Sequence, residues 1–152
     1  MRNGVNEWVQ EGRLCVWRYA EARRGWRGWQ WTADPVGCRS VRNLLDRMQG
    51  GEPCHRTLRL EPVTDAILSV PNAGHTVAQR FGRLRIEHRA EVDALRMEPA
   101  GGVLNLTVGG PRLRKLSAAL GRVEMGDGDF GMDAGERKED EWMFWWMPDV
   151  RY

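Results

Sequence analysis

Residues 29–51, WQWTADPVGCRSVRNLLDRMQGG, decide how this chain is read, because a strand runs into a helix there with both helix ends marked. Alternation puts Trp29 and Trp31 on one face of the strand. Asp34 supplies an N-cap oxygen, and Pro35 suits the first helical position, where no N–H is needed. Val41, Leu44, Leu45 and Met48 then recur at i, i+3, i+4 and i+7, which makes one apolar stripe. Gly50 and Gly51 stop the helix. Arg39, Arg42, Asn43, Asp46 and Arg47 fall off the stripe, so the helix is expected to rest on a core by one side.

Working outward, residues 13–20 (RLCVWRYA) and 26–33 (WRGWQWTA) read as a hairpin around a polar turn. Residues 54–61 (CHRTLRLE) alternate, with Leu58 and Leu60 inward. Residues 66–70 (AILSV) read as a strand, although Thr64 and Asp65 would also cap a helical turn. Further strands are expected at 84–89, 94–98 and 103–108. Gly109, Gly110 and Pro111 open a second helix, striped by Leu113, Leu116, Leu120 and Val123. A turn and short strand fill 125–134, and a charged loop fills 135–141. Residues 142–147 (WMFWWM) are apolar on both faces, which fits a central strand or an interface strand.

The order strand–strand–helix–strand–strand thus appears twice, over about 13–71 and 94–148, with 84–89 as an extra strand. Matching the helix stripes aligns Val41 with Leu113, Leu44 with Leu116, Met48 with Leu120 and Arg42 with Arg114. Matching the strand ends aligns Thr32 with Thr107, which requires a loop three residues shorter in the second half. The expected fold is a single α+β domain over 1–152, with mainly antiparallel sheet and two helices packed on one face, and the element order suggests an internal ββαββ repeat.

Composition bounds the function classes. The chain has 152 residues, 41% hydrophobic and 29% charged, which is enough to bury a core. It carries 21 Arg but 2 Lys, a bias that fits GC-rich bacterial codon usage. The 21 acidic residues are interspersed with the bases and the formal charge is only +2, so nonspecific nucleic-acid binding is not expected. No apolar run is long enough to span a membrane, and charges at Arg2, Glu7, Glu11 and Arg13 argue against a secretory leader. The expectation is a cytoplasmic protein with no membrane partner. Cys15, Cys38 and Cys54 are odd in number and lack close pairing, as expected for reduced, mostly buried thiols.

The eight Trp fall at 8, 17, 26, 29 and 31 and at 142, 145 and 146, with none between. Such clustering marks where a core is thickest, so the first hairpin and the last strand should be neighbours. Trp142, Trp145 and Trp146 point both ways along one strand, so at least one needs a second covering surface. A helix, the other sheet or a second copy of the chain would serve.

The chemistry-bearing patterns are thin. Zinc sites need paired ligands at short spacing, and His55, His75, His88 and Cys54 do not supply them. A Cys–His nucleophile would need Cys38 or Cys54 near His75 or His88. Asp127, Asp129 and Asp133 in GDGDFGMD suggest calcium, but Gly131, Met132 and Lys138 break the EF-hand template. Gly109 to Pro111 lacks the residues of a P-loop and reads as a chain reversal. No catalytic residue, metal or cofactor is expected from these patterns.

The outward face of three strands is the most regular polar pattern. Arg59 and Glu61, Arg85 and Glu87, and Arg96 and Glu98 each repeat Arg-x-Glu, which in register would build a charged ladder. A solvated face is the plain explanation, and a docking face for a charged protein is the functional one. The leading expectation is a non-enzymatic bacterial interaction protein, of immunity or inhibitor type, using Arg59, Glu61, Arg85, Glu87, Arg96 and Glu98. The rivals are a small enzyme or ligand-binding domain with a pocket between the halves, and nucleic-acid binding through Arg39, Arg42, Arg47, Arg112, Arg114 and Lys115.

Overall fold

The computed structural model describes residues 4–20, 27–49, 52–74, 76–134 and 141–151. Two four-stranded sheets and three helices give an α+β fold. The elements are β1 (Leu14–Trp17), β2 (Gln30–Ala33), α1 (Pro35–Met48), β3 (Cys54–Arg59), α2 (Asp65–Ser69), β4 (Arg83–His88), β5 (Leu95–Ala100), β6 (Val103–Val108), α3 (Gly110–Glu124), β7 (Phe130–Met132) and β8 (Trp142–Trp146).

The first sheet has the order β1-β2-β8-β7 and the second β3-β4-β6-β5. Each is antiparallel at its two outer pairs and parallel at the middle pair, β2 with β8 and β4 with β6. Replacing β1, β2, β7 and β8 by β5, β6, β3 and β4 turns one sheet order into the other. Each sheet therefore combines a hairpin from one part of the chain with a strand pair from the other. The first hairpin and the last strand meet as expected, with the Trp31 ring stacked 5.5 Å from Trp142.

Local chemistry explains the elements. The Asp34 carboxylate accepts from the Gly37 N–H at 2.7 Å and from the Arg13 N–H at 2.9 Å, so one side chain caps α1 and ties it to β1. A side chain at Gly37 would sit 2.2 Å from the Arg13 carbonyl oxygen, so this helix start can touch β1 only as glycine. The Thr64 hydroxyl accepts from Ile67 N–H at 3.2 Å and starts α2. The helix covers Asp65–Ser69, so the stretch 66–70, expected as a strand, takes the helical alternative that Thr64 and Asp65 offered. The fourth strand of the first unit is instead β4, the segment counted as extra in the sequence.

The helix equivalence also differs. From β2 to α1 and from β6 to α3 one offset of 75 holds, so no loop is shortened. Cys38, Val41, Leu44, Leu45 and Met48 then match Leu113, Leu116, Ala119, Leu120 and Val123, and all ten are buried. Leu44 thus matches Ala119 and not Leu116.

One core cluster joins α1, α3 and the inner faces of both sheets, including Leu14, Trp31, Leu44, Leu58, Leu84, Leu106, Leu116 and Phe144. Leu44 and Leu116 are both fully buried. Truncating either to Ala should lower unfolding free energy by about 2–5 kcal/mol. An unchanged urea midpoint in either variant would refute the helix-face assignment.

The two outer faces differ. On the first sheet, Cys15, Trp17, Trp145 and Met147 pack under Ile67 of α2, with Val63, Val70 and Val77 beside it. Residues 76–78 also extend the β1 edge, through Ala20 N–H to Thr76 C=O and Ala78 N–H to Arg18 C=O, both at 2.8 Å. β8 is a central strand covered on both sides. Trp142 and Trp145 are buried within the chain, so they offer nothing to a second copy, and only Trp146 is exposed. No helix is long and apolar enough to cross a membrane among the described residues.

Candidate interaction face

The outer face of the second sheet is built by alternation and register. His55, Thr57 and Arg59 project from β3, and Glu87, Arg85 and Arg83 lie opposite them on β4. Thr107, Asn105 and Val103 of β6 come next. Arg96, Glu98 and Ala100 of β5 complete the grid. Inward, Leu58, Leu84, Ile86, Leu104, Leu106 and Leu95 are buried, so the two faces separate cleanly.

Five of the six residues singled out in the sequence, Arg59, Arg85, Glu87, Arg96 and Glu98, therefore share one face. Two features of the expected ladder fail. Glu61 lies beyond β3, where its N–H donates to Leu14 C=O at 2.8 Å and its side chain lines a cavity of about 280 Å³ with Trp17, Leu60 and Phe81. The three Arg-x-Glu strands are also not all neighbours: β3 and β4 pair, but β6 separates β4 from β5 with Val103, Asn105 and Thr107. The ladder is two clusters divided by a neutral strand.

Charge on the face is unevenly compensated. Arg85 donates to Glu87 at 2.7 Å, and the Arg89 guanidinium holds the other carboxylate oxygen. These hydrogen bonds, from Arg85 first and Arg89 second, pull the Glu87 carboxyl below its ordinary value of 4.5. A lowered folded pKa means the pairing stabilises above the unfolded pKa and is lost as pH falls through the folded one. Glu87→Gln should therefore be less stable than the parent at pH 7, by at most about 1 kcal/mol because the pair is solvent-screened. The difference should shrink as pH falls below about 4.5, the ordinary carboxyl value, in parallel urea titrations. A gap that widens on acidification would contradict it. Arg59 and Arg83 face each other in register, and among the described residues no acidic side chain lies in ion-pair reach of either.

Arg83 was missed in the sequence. Its signal was there, since Arg83, Arg85 and Glu87 continue one alternation, but the expected strand began one residue later, at 84.

The remaining candidates form no comparable assembly. The Cys15 and Cys38 thiols are each pushed up to about 12, chiefly by burial. Cys54 is the register partner of His88, whose Nδ1 lies 3.3 Å from Glu52 O. His75 lies outside the described residues, as do Trp26 and Lys138. Among the described residues no group of three His, Cys, Asp or Glu could hold a metal ion. In GDGDFGMD, the Asp127 carboxylate accepts from Arg122 at 2.7 Å and from Gly128 N–H at 2.9 Å, so its oxygens serve the turn.

The helix arginines are largely engaged. Glu124 pairs with Arg42 at 3.1 Å and Arg39 at 3.8 Å. Arg47 donates to Gly4 C=O at 2.7 Å, and Arg112 to Asp133 C=O at 3.2 Å. Arg114 and Lys115 are exposed on α3. Three cavities, of about 280, 520 and 310 Å³, are lined by residues 4–82, so none of them lies between the units of 13–71 and 94–148.

No protein-family model, curated protein or solved structure matches this chain. The functional reading accordingly rests on its own surfaces.

Proposed function

We propose that this chain is a non-enzymatic binding protein that docks a protein partner on the outer face of its second sheet. The observation that carries the reading is the contrast between equivalent faces. Cys15, Trp17, Met143 and Trp145 on the first sheet correspond to Arg96, Glu98, Arg85 and Glu87 on the second. The first set is apolar and lies under α2 and its flanks, whereas the second is polar and carries no covering element among the described residues. A flat grid of Arg, Glu, Thr and Asn supplies donors and acceptors without an apolar patch that would aggregate.

The size of the face limits the partner. Four strands of six residues span roughly 20 Å by 20 Å. That is about half of the ~800 Å² each partner contributes to a standard interface, so a stable partner must also overlap the rim. A bacterial, cytoplasmic setting of immunity or inhibitor type belongs to the same proposal, and a toxin gene directly upstream would support it.

The test is site-specific photo-cross-linking in the source cell, with the probe at Thr57 on the outer strand β3 of the face or at Asp46 on the outer side of α1. A discrete protein adduct from Thr57 and none from Asp46 is expected. Adducts from Asp46 alone, or from neither, would overturn the reading. With a partner in hand, Arg96→Glu, on the outer strand β5, should slow association by about tenfold and change dissociation less, because charges at an interface edge act mainly through steering. Arg85 sits on the central strand β4 and is no rim residue.

A further inference from the structure

Resting on that reading, we infer that the corner formed by Arg59 and Arg83 binds carboxylates of an acidic protein segment. The two guanidinium-bearing residues are cross-strand partners and both are exposed. Like charges directly opposite one another on a sheet destabilise it, and among the described residues no acid pairs with either. Of the acids on the face, Glu87 is already held by Arg85 and Arg89, and Glu98 stands two strands away from Arg83 on β5. Val103 and Ala100, which complete their row, are neutral, as are Thr57 and Asn105 in the next row, where Arg85 and Glu98 carry the charge.

The edge beside the corner is partly closed. The Gln10 side chain accepts from Arg59 N–H at 2.7 Å and donates to Arg59 C=O at 2.9 Å, taking both main-chain groups that an added strand would use there. An incoming segment thus meets the Arg59 side chain and not its backbone. Two planar guanidinium forks about 5 Å apart at their Cβ atoms suit two carboxylates, each taken bidentately.

A phosphodiester backbone fits less well. Glu87 and Glu98 stand on the same face, and its twelve positions include no Phe, Tyr or Trp for bases to stack on. The partner chemistry is therefore Asp- and Glu-rich polypeptide.

The experiment uses the full chain, an N-acetylated ten-residue poly-glutamate peptide, and a twelve-nucleotide single-stranded oligonucleotide as the rival probe. Binding is followed by NMR shifts of the backbone amides and arginine Nε–H groups. The expected result is that the peptide shifts Arg59, Arg83 and Thr57 and that Arg83→Glu weakens it at least tenfold. Arg83→Lys, which keeps the charge and loses the fork, should weaken it about threefold. Arg59→Glu repeats the test should Arg83→Glu fail to fold. Shifts confined to α1 and α3, unchanged affinity in the reversal variants, or equal or tighter binding of the oligonucleotide would each overturn the inference. The two readings separate in the cross-linking assay. A Thr57 adduct that survives in the Arg59→Glu, Arg83→Glu double variant leaves the face standing and removes the corner, whereas no adduct in the parent removes both.

Discussion

Trp31→Ala should lower the unfolding free energy by about 3–5 kcal/mol. Trp31 is fully buried on β2, opposite Val16 of β1 and beside Phe144 of β8. Its ring stacks 5.5 Å from Trp142 and 5.9 Å from Phe144. Truncation would empty the seam where the beginning and end of the chain meet, and strands from both sides would lose their contacts at once. The indole Nε1–H finds no hydrogen-bond partner there. Burying an unsatisfied donor costs about 1–3 kcal/mol, so Trp31 is held by its area and shape despite that penalty. Trp31→Phe should accordingly lose much less than Trp31→Ala, since it keeps a ring and removes the orphan donor. Urea unfolding at matched slopes checks both. Equal losses in the two variants would mean that ring stacking contributes little to the seam.

The helices were legible because their signals are local. The Asp34 cap, the Gly109 to Pro111 opening and the two stripes each sit within one element. Their mutual alignment was not legible by residue likeness. Cys38 and Leu113 sit at equivalent buried positions, and matching leucine to leucine slides the helices by one turn. Residues 66–70 are too short for periodicity to choose between helix and strand, and the Thr64 cap decided it.

The candidate face was half legible for a related reason. Alternation reports which side of a strand each residue takes, so Arg59, Arg85 and Arg96 fell on one face as expected. Strand order depends on pairings between residues far apart in the chain, and nothing local announces that β6 lies between β4 and β5. The covering of β8 is equally remote. An apolar run on both faces demands two covers, but only the fold shows that α2 and its flanks provide one of them.

Gly109→Ala should cost about 3 kcal/mol or more, at the upper end of what overpacking does. The backbone there has φ −112 and ψ 173, an extended conformation open to any residue, so dihedral strain is not the reason. The reason is proximity. A Cβ at Gly109 would lie 1.6 Å from Val92 O and 2.8 Å from Arg89 O, well inside any non-bonded contact. Both neighbours are backbone atoms of the turn that links β4 to β5, and that turn is itself held by Val92 N–H to Arg89 C=O at 3.1 Å and Arg89 N–H to Val108 C=O at 3.0 Å. No side chain can swing aside, so either α3 or the turn must move. Residue 109 is also the helix N-cap, and its counterpart Asp34 caps α1 through its carboxylate. Gly109→Asp separates the two demands. If capping limited α3, Asp would stabilise it, but close packing predicts that Asp is as damaging as Ala. Gly110, with nothing near its Cβ direction, is the control, and Gly110→Ala should be neutral or stabilise by about 0.4–1 kcal/mol through the unfolded state. Chemical denaturation of the three variants is enough to judge the contact. If Gly109→Ala and Gly110→Ala unfold at the same midpoint, the turn does not rest on the start of α3, and β5 loses the restraint that sets it at the margin of the interaction face.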